Sequence, residues 1–324
     1  MRAHKAICTL ILLPVLFAHS TAEPLRHGRI VFHSDRSGNS EIYSIATDGS
    51  DEAQLTFDDG FDGFPSWSPD GERIVFQSNR DGEFAIYSMQ ADGSNLAKIP
   101  NTENGSYAKV SPGGEYIAFF AERNGVTDIY LIGSGGEDIR NITNSSAIDE
   151  TPSWSADGAT IAFQSDRSWR KTLTADPDPE QHPNFGIFAM ASNGSDIVEV
   201  TGLESVDENP SINPNGGSIV FQRYIDDGLS IALIDLNSGK TRILTAPAEI
   251  SGSPAWSSSG TQIVFDSMRD GNFDIFVMDE NGENLRQVTT SKDTENSGAA
   301  LFDGAPSSGS PLNQGCTSDH HGLK

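Results

Sequence analysis

The sequence predicts an all-β fold: a β-propeller of six four-stranded antiparallel blades, closed by a C-terminal strand that completes the first blade. Three observations predict it. An apolar triplet ending in phenylalanine recurs six times, with successive Phe residues 44, 43, 44, 58 and 44 positions apart. A period in the low forties is that of a propeller blade. Turn pairs rich in Gly, Asn and Asp punctuate the repeats at matching offsets, and nothing between them has the period or length of a helix.

Each repeat reads as four short strands, a to d. Strand a carries Pro65 and Trp67, Pro152 and Trp154, or Pro254 and Trp256, with weaker copies at Pro210 and Ile212 and at Ala108 and Val110. A tight turn follows at Asp70-Gly71, Gly113-Gly114, Asp157-Gly158, Asn215-Gly216 and Ser259-Gly260. Gly and Asn tolerate the positive φ that hairpin turns require. Strand b is the triplet ending in Phe32, Phe76, Phe119, Phe163, Phe221 or Phe265. Strand c centres on Ile42-Tyr43, Ile86-Tyr87, Ile129-Tyr130, Ile187-Phe188, Ile231-Ala232 and Ile275-Phe276, and a second Gly turn closes it. Strand d is placed at Gln54-Leu55-Thr56, Ile142-Thr143, Val200-Thr201, Leu244-Thr245 and Val288-Thr289. Apolar residues of b and c alternate with polar ones, as in half-buried antiparallel strands. Because the aromatics recur at blade period, their expected role is packing between blades.

No strand a precedes Arg29, whereas residues 295–304 occupy a spare strand-a register after the last strand d. Residues 298–302 are therefore expected to complete the first blade, giving a propeller over residues 23–304. Residues 1–22 read as a secretory signal, with Arg2 and Lys5 before an apolar run too short to span a bilayer comfortably. The mature protein is accordingly expected in the periplasm or outside the cell, without a transmembrane segment and as a monomer. Residues 305–324 are rich in Gly, Ser and Pro and read as a disordered tail. Only Cys316 remains after the signal, so no internal disulfide is expected. The tail's His320 and His321, with Cys316, lack a defined metal-ligand spacing.

The 324-residue chain carries 21 Lys and Arg against 46 Asp and Glu, a formal net charge of −25. That balance argues against nucleic acid as a partner and against docking on an anionic membrane surface.

The stretch "PSWSPDGERIVFQSNRDGEFAIYSM" resembles the repeat of TolB-like six-bladed propellers, and the resemblance covers residues 29–304. It implies the propeller fold and a capacity to bind another protein, as family propellers bind the peptidoglycan-associated lipoprotein. Family members carry an α/β domain before the propeller; here only residues 23–28 precede the blades. An envelope-scaffold role does not follow from the repeat alone.

The candidate site residues come from position within the repeat. Three residues before the strand-a proline stand Asp62, Asp149, Asp207 and Glu295, with Glu150 and Glu208 following two of them. Loops from d to a enter the innermost strand, so these acids are expected around one mouth of the central channel. Two roles are open: Asx-type hydrogen bonding within the loop, or a mouth for a cation or basic ligand, with Ca²⁺ as the fitting ion. The strings Ser34-Asp35-Arg36, Ser165-Asp166-Arg167 and Ser78-Asn79-Arg80 recur at blade period and are expected to fix turns. The 14 extra residues of the fourth repeat lie within 168–186, between strands b and c, where Trp169, Arg170 and Lys171 are candidate partner anchors.

No G-x-S-x-G elbow is present, and His33 stands where other repeats carry Gln77, Gln164 and Gln222. The expected function is an exported, non-catalytic binding propeller that recognises an envelope protein or polysaccharide through one face and requires no cofactor. The alternative is an enzyme with a channel-mouth site acting on carbohydrate or lactone, such as a metal-dependent lyase or hydrolase.

Overall fold

The computed structural model describes residues 28–173, 183–290 and 294–304. The proposed signal peptide, the tail with Cys316, His320 and His321, and most of the acidic half of the insertion lie outside the described residues.

Six four-stranded antiparallel sheets form the blades. The second is representative: Asp62–Trp67, Arg73–Ser78, Ala85–Gln90 and Ala97–Lys98, running from the innermost strand outward. The first blade draws its inner strand, Asn296–Phe302, from the far end of the chain. That strand pairs antiparallel with Arg29–Ser34, matching Ile30 with Leu301 and Ser34 with Asn296.

The core is divided among the gaps between blades. Six apolar clusters alternate with the six sheets, and each draws side chains from two neighbours. The six strand-b phenylalanines are all fully buried. The cluster between last and first blades joins Val264, Ile275 and Val277 to Phe32, Tyr43 and Leu301, so the C-terminal strand contributes core as well as ladder.

Strand d differs from the sequence expectation. In blade 1 it is Ala53–Gln54, and Leu55 and Thr56 follow it. In every blade a threonine after strand d accepts the backbone N–H of a strand-c isoleucine on its Oγ1: Thr56 from Ile42, Thr102 from Ile86, Thr143 from Ile129, Thr201 from Ile187, Thr245 from Ile231 and Thr289 from Ile275, at 2.8–3.1 Å. A side-chain acceptor thus replaces the next ladder bond, which is why the recurring Thr marks the end of strand d. Among the described residues no helix is long and apolar enough to cross a membrane.

Candidate functional site at the channel mouth

The innermost strands all break register at one place. The residue before the proline position takes a left-handed φ in each blade: Phe64 (52°), Tyr107 (51°), Thr151 (51°), Asn209 (52°), Ser253 (47°) and Gly298 (61°). Each marks a bulge between strands a and b. Five of the six are not glycine, and such backbone persists only where surrounding structure fixes it. Much of that fixing comes from the preceding blade. Gln164 Oε1 accepts the Asn209 N–H at 2.9 Å, Gln222 Oε1 that of Ser253 at 3.1 Å, and Asp266 Oδ2 that of Gly298 at 3.3 Å. His33 Nδ1 faces the Phe64 N–H at 3.4 Å. In blades 1, 4, 5 and 6 the strand-b residue after the phenylalanine is therefore an inter-blade stitch. Burial pulls the His33 imidazole down to about 4, against the opposing field of Asp35, which keeps it neutral and able to accept.

Beside this ring the two halves of the mouth differ in chemistry. Blades 1 to 3 supply a chain of ring contacts. Phe64 stacks on Tyr107 with centroids 4.2 Å apart, and Tyr107 stacks on Phe120 at 5.6 Å. Phe61 meets His33, Phe64 and Phe84 at 5.8–6.0 Å. Gly63 leaves room for the Phe61 ring, because a Cβ there would collide with it. Blades 4 to 6 supply carboxyls and amides. Glu150 accepts from Gln164 Nε2 at 3.0 Å, Glu208 accepts from Gln222 Nε2 at 2.8 Å, and Asp266 accepts from Ser297 Oγ. Burial, assisted by the charge of Glu208, pushes Glu150 up to about 7. Burial also raises Glu208 and Asp266. Tyr107 joins the halves: burial, then the fields of Asp266, Glu150 and Glu208, push its phenol well above its usual range.

Asp62, Asp149 and Asp207 are fully buried. Each accepts from an arginine of its own blade: Arg80 at 2.6 Å and Arg167 at 2.7 Å just past strand b, and Arg223 within strand b through two bonds of 2.7 Å. Their charge is already compensated by these arginines, and the loop-bonding role holds beside it in two blades, where Asp149 and Asp207 also accept from Ser145 and Ser205 of their own d-to-a loops at 2.9 and 3.1 Å. The Ser-x-Arg strings explain the partner. Ser78 and Ser165 accept the Arg Nε at 3.0 and 2.9 Å, which fixes the turn, while the guanidinium lies over Phe76 and Tyr87 or over Phe163 and Phe188 at 5.1–5.6 Å. Glu295 is not the fourth member of this set. The chain-closing strand pairs Asn296 with Ser34, as Asp62 pairs with Ser78, so Asn296 takes the repeat position and Glu295 is exposed one residue earlier. The losses of Pro and Trp in that strand removed the markers that would have fixed its register. Among the described residues no three His, Cys, Asp or Glu side chains are grouped closely enough to hold a metal ion.

Of the insertion, Arg167–Arg170 forms a one-turn helix. It starts on the mouth's side of the blade, since Asp166 Oδ1 accepts the N–H of Ile148 in the d-to-a loop at 2.9 Å. Arg170 pairs with the buried Asp166 at 2.6 Å; Trp169 is partly exposed and Lys171 exposed. The aromatic half was missed in the sequence. Its signal was departure from the repeat: Phe120 stands where the other blades carry Gln, His or Asp, and Tyr107 precedes Ala108 where a proline was lost.

The TolB beta propeller domain family matches residues 26–121 and 179–306. TolB from Acinetobacter baumannii is 23% identical with a TM-score of 0.72, over 86% of this chain and 67% of that one. A putative TolB from Agrobacterium tumefaciens is 18% identical with a TM-score of 0.62, over 85% and 98%. An oligogalacturonate lyase in complex with manganese is 14% identical with a TM-score of 0.51, over 81% and 73%. At these identities the structural likeness speaks to the fold alone. No curated protein matches this sequence.

Proposed function

This chain belongs to the TolB beta propeller family, and from that premise we propose that it is an exported, non-catalytic binding module. It recognises a protein or cell-envelope ligand through the face that carries the d-to-a and b-to-c loops. The observation that supports this reading is the divided mouth, with stacked rings from blades 1 to 3 facing carboxyls and amides from blades 4 to 6. Aromatic surface at a concave site supplies contact area at low entropic cost, and the carboxyls select for cationic or hydrogen-bond-donating groups. A chain of net charge −25 adds attraction for a basic partner. The basic start and apolar run of residues 1–22 support export.

The test is capture from envelope extract, with bound species identified by mass spectrometry. Phe61→Ala and the pair Glu150→Gln with Glu208→Gln should each weaken capture of the same ligand, the latter with loss of salt sensitivity. Capture indifferent to both variants would remove the mouth as the recognition site. A second reading is an enzyme acting on carbohydrate or lactone at the same mouth. It rests on Glu150, whose raised carboxyl is suited to hold and donate a proton near neutral pH. Turnover abolished by Glu150→Gln would favour it.

A further inference from the structure

Beyond the bulges, toward the a-to-b turns, the central channel encloses a cavity of about 500 Å³. Its wall contains one residue that breaks the repeat. Ser66, Lys109, Ser153, Ser211, Ala255 and Ala300 hold the same register in their six blades, each pairing with the residue before the strand-b phenylalanine. Five are small and Lys109 is not. No Asp, Glu, Arg or His lines the cavity, so Lys109 is its single charged side chain. Among the described residues its ammonium has neither an ion pair nor a hydrogen bond. Lys109 is half-buried, and a cation held against an apolar wall without a counter-ion favours an anion beside it.

The rest of the wall is suited to the partner that is missing. Ser153 and Ser211 accept backbone N–H groups of Ile212 and Trp256, at 3.0 and 3.1 Å, and each keeps its own hydroxyl proton to donate. Donors therefore outnumber charged acceptors in a space walled by prolines and tryptophans. We propose that the channel binds a small organic carboxylate, whose anionic end pairs with Lys109 while its apolar body lies against the proline and tryptophan wall. The volume suits a ligand of that class. The site lies below the mouth and meets it at Phe64 and Tyr107, but its cation, Lys109, takes no part in what the mouth recognises.

Calorimetric titration with benzoate, octanoate and indole-3-acetate, each beside its neutral amide, tests this on the full chain. At least one acid should bind, and its amide should not. Lys109→Ser, which installs the residue of three other blades, should weaken binding about tenfold or more, as loss of a charge-assisted hydrogen bond does. The same variant should melt no lower than the parent, because it removes a half-buried cation that has no counter-ion. Burial draws the Lys109 ammonium down to about 8, so affinity should fall as pH rises through that value. Tyr107, the other titratable lining residue, is pushed upward and stays neutral there. Binding of acid and amide alike, binding unchanged in Lys109→Ser, no binding at about millimolar ligand, or a lower melting point for Lys109→Ser would each overturn the assignment.

Discussion

Glu150 shows how a single carboxyl reports on its surroundings. Burial raises it from the ordinary 4.5 to about 7, even though Gln164 donates to it. A raised folded-state value means the native chain keeps a proton that the unfolded chain has released. Stability therefore carries this group's contribution below about 4.5 and loses it as pH rises toward 7. Urea unfolding across that range should show the decline, and Glu150→Gln should flatten part of it. A slope identical in the two proteins would mean that Glu150 titrates normally. At this scale the sequence was legible in kind but not in pairing. The recurrence of Asp62, Asp149 and Asp207 was visible, yet their arginines lie 16–18 residues away, across a strand and a turn. A count of residues before a proline carries no information about that cross-strand partner. Lys109 was legible in principle, since an alignment of the six blades sets it against Ser and Ala.

Among the elements, strands a, b and c could be placed from sequence because their apolar residues sit at fixed offsets from Gly turns. Strand d could not. Its paired part is two residues long in five blades, and the conspicuous Thr after it caps a strand-c N–H instead of joining the ladder. The insertion of the fourth blade divides in the same way. Its first turn is anchored: Arg170 holds the fully buried Asp166, whose backbone and side chain both engage Ile148. Replacing residues 171–183 by a short Gly-containing turn should leave the thermal midpoint unchanged, because loop length costs little. Arg170→Ala should lower it, by about 1–3 kcal/mol of unfolding free energy, since a buried carboxylate loses its partner. If the two variants melt alike, the Arg170–Asp166 pair does not anchor this turn. Capture of the envelope ligand by the shortened chain, which keeps Trp169 and lacks Lys171, reports on Lys171 as an anchor, and Trp169→Ala reports on Trp169.

The closed ring is a property of the whole molecule, and it rests on one strand from the far end of the chain. Asn296–Phe302 pairs with Arg29–Ser34, adds Ala299 and Leu301 to the core between blades 6 and 1, and adds Ala300 to that between blades 1 and 2. Its hold on the neighbouring blade is also polar. Asp303 accepts from the Ser258 and Ser259 hydroxyls and the Ser259 N–H at 2.7–3.0 Å, and Asp266 receives Ser297 and the Gly298 N–H. Other blades share only contacts with their neighbours, so this strand alone joins the two ends of the chain. Deleting residues 295–324 should therefore cost of the order of 5 kcal/mol, from lost apolar burial and unpaired ladder groups. It should also leave Arg29–Ser34 as an open edge prone to pairing with another copy. A control lacking only residues 305–324 separates the strand from the tail. The longer deletion should melt lower than the control and scatter light on standing, and a synthetic peptide of residues 294–304 should restore the midpoint. Equal melting of deletion and control would mean that the blades hold together without the strand, and that its pairing with the first blade is an ornament of the fold instead of its closure.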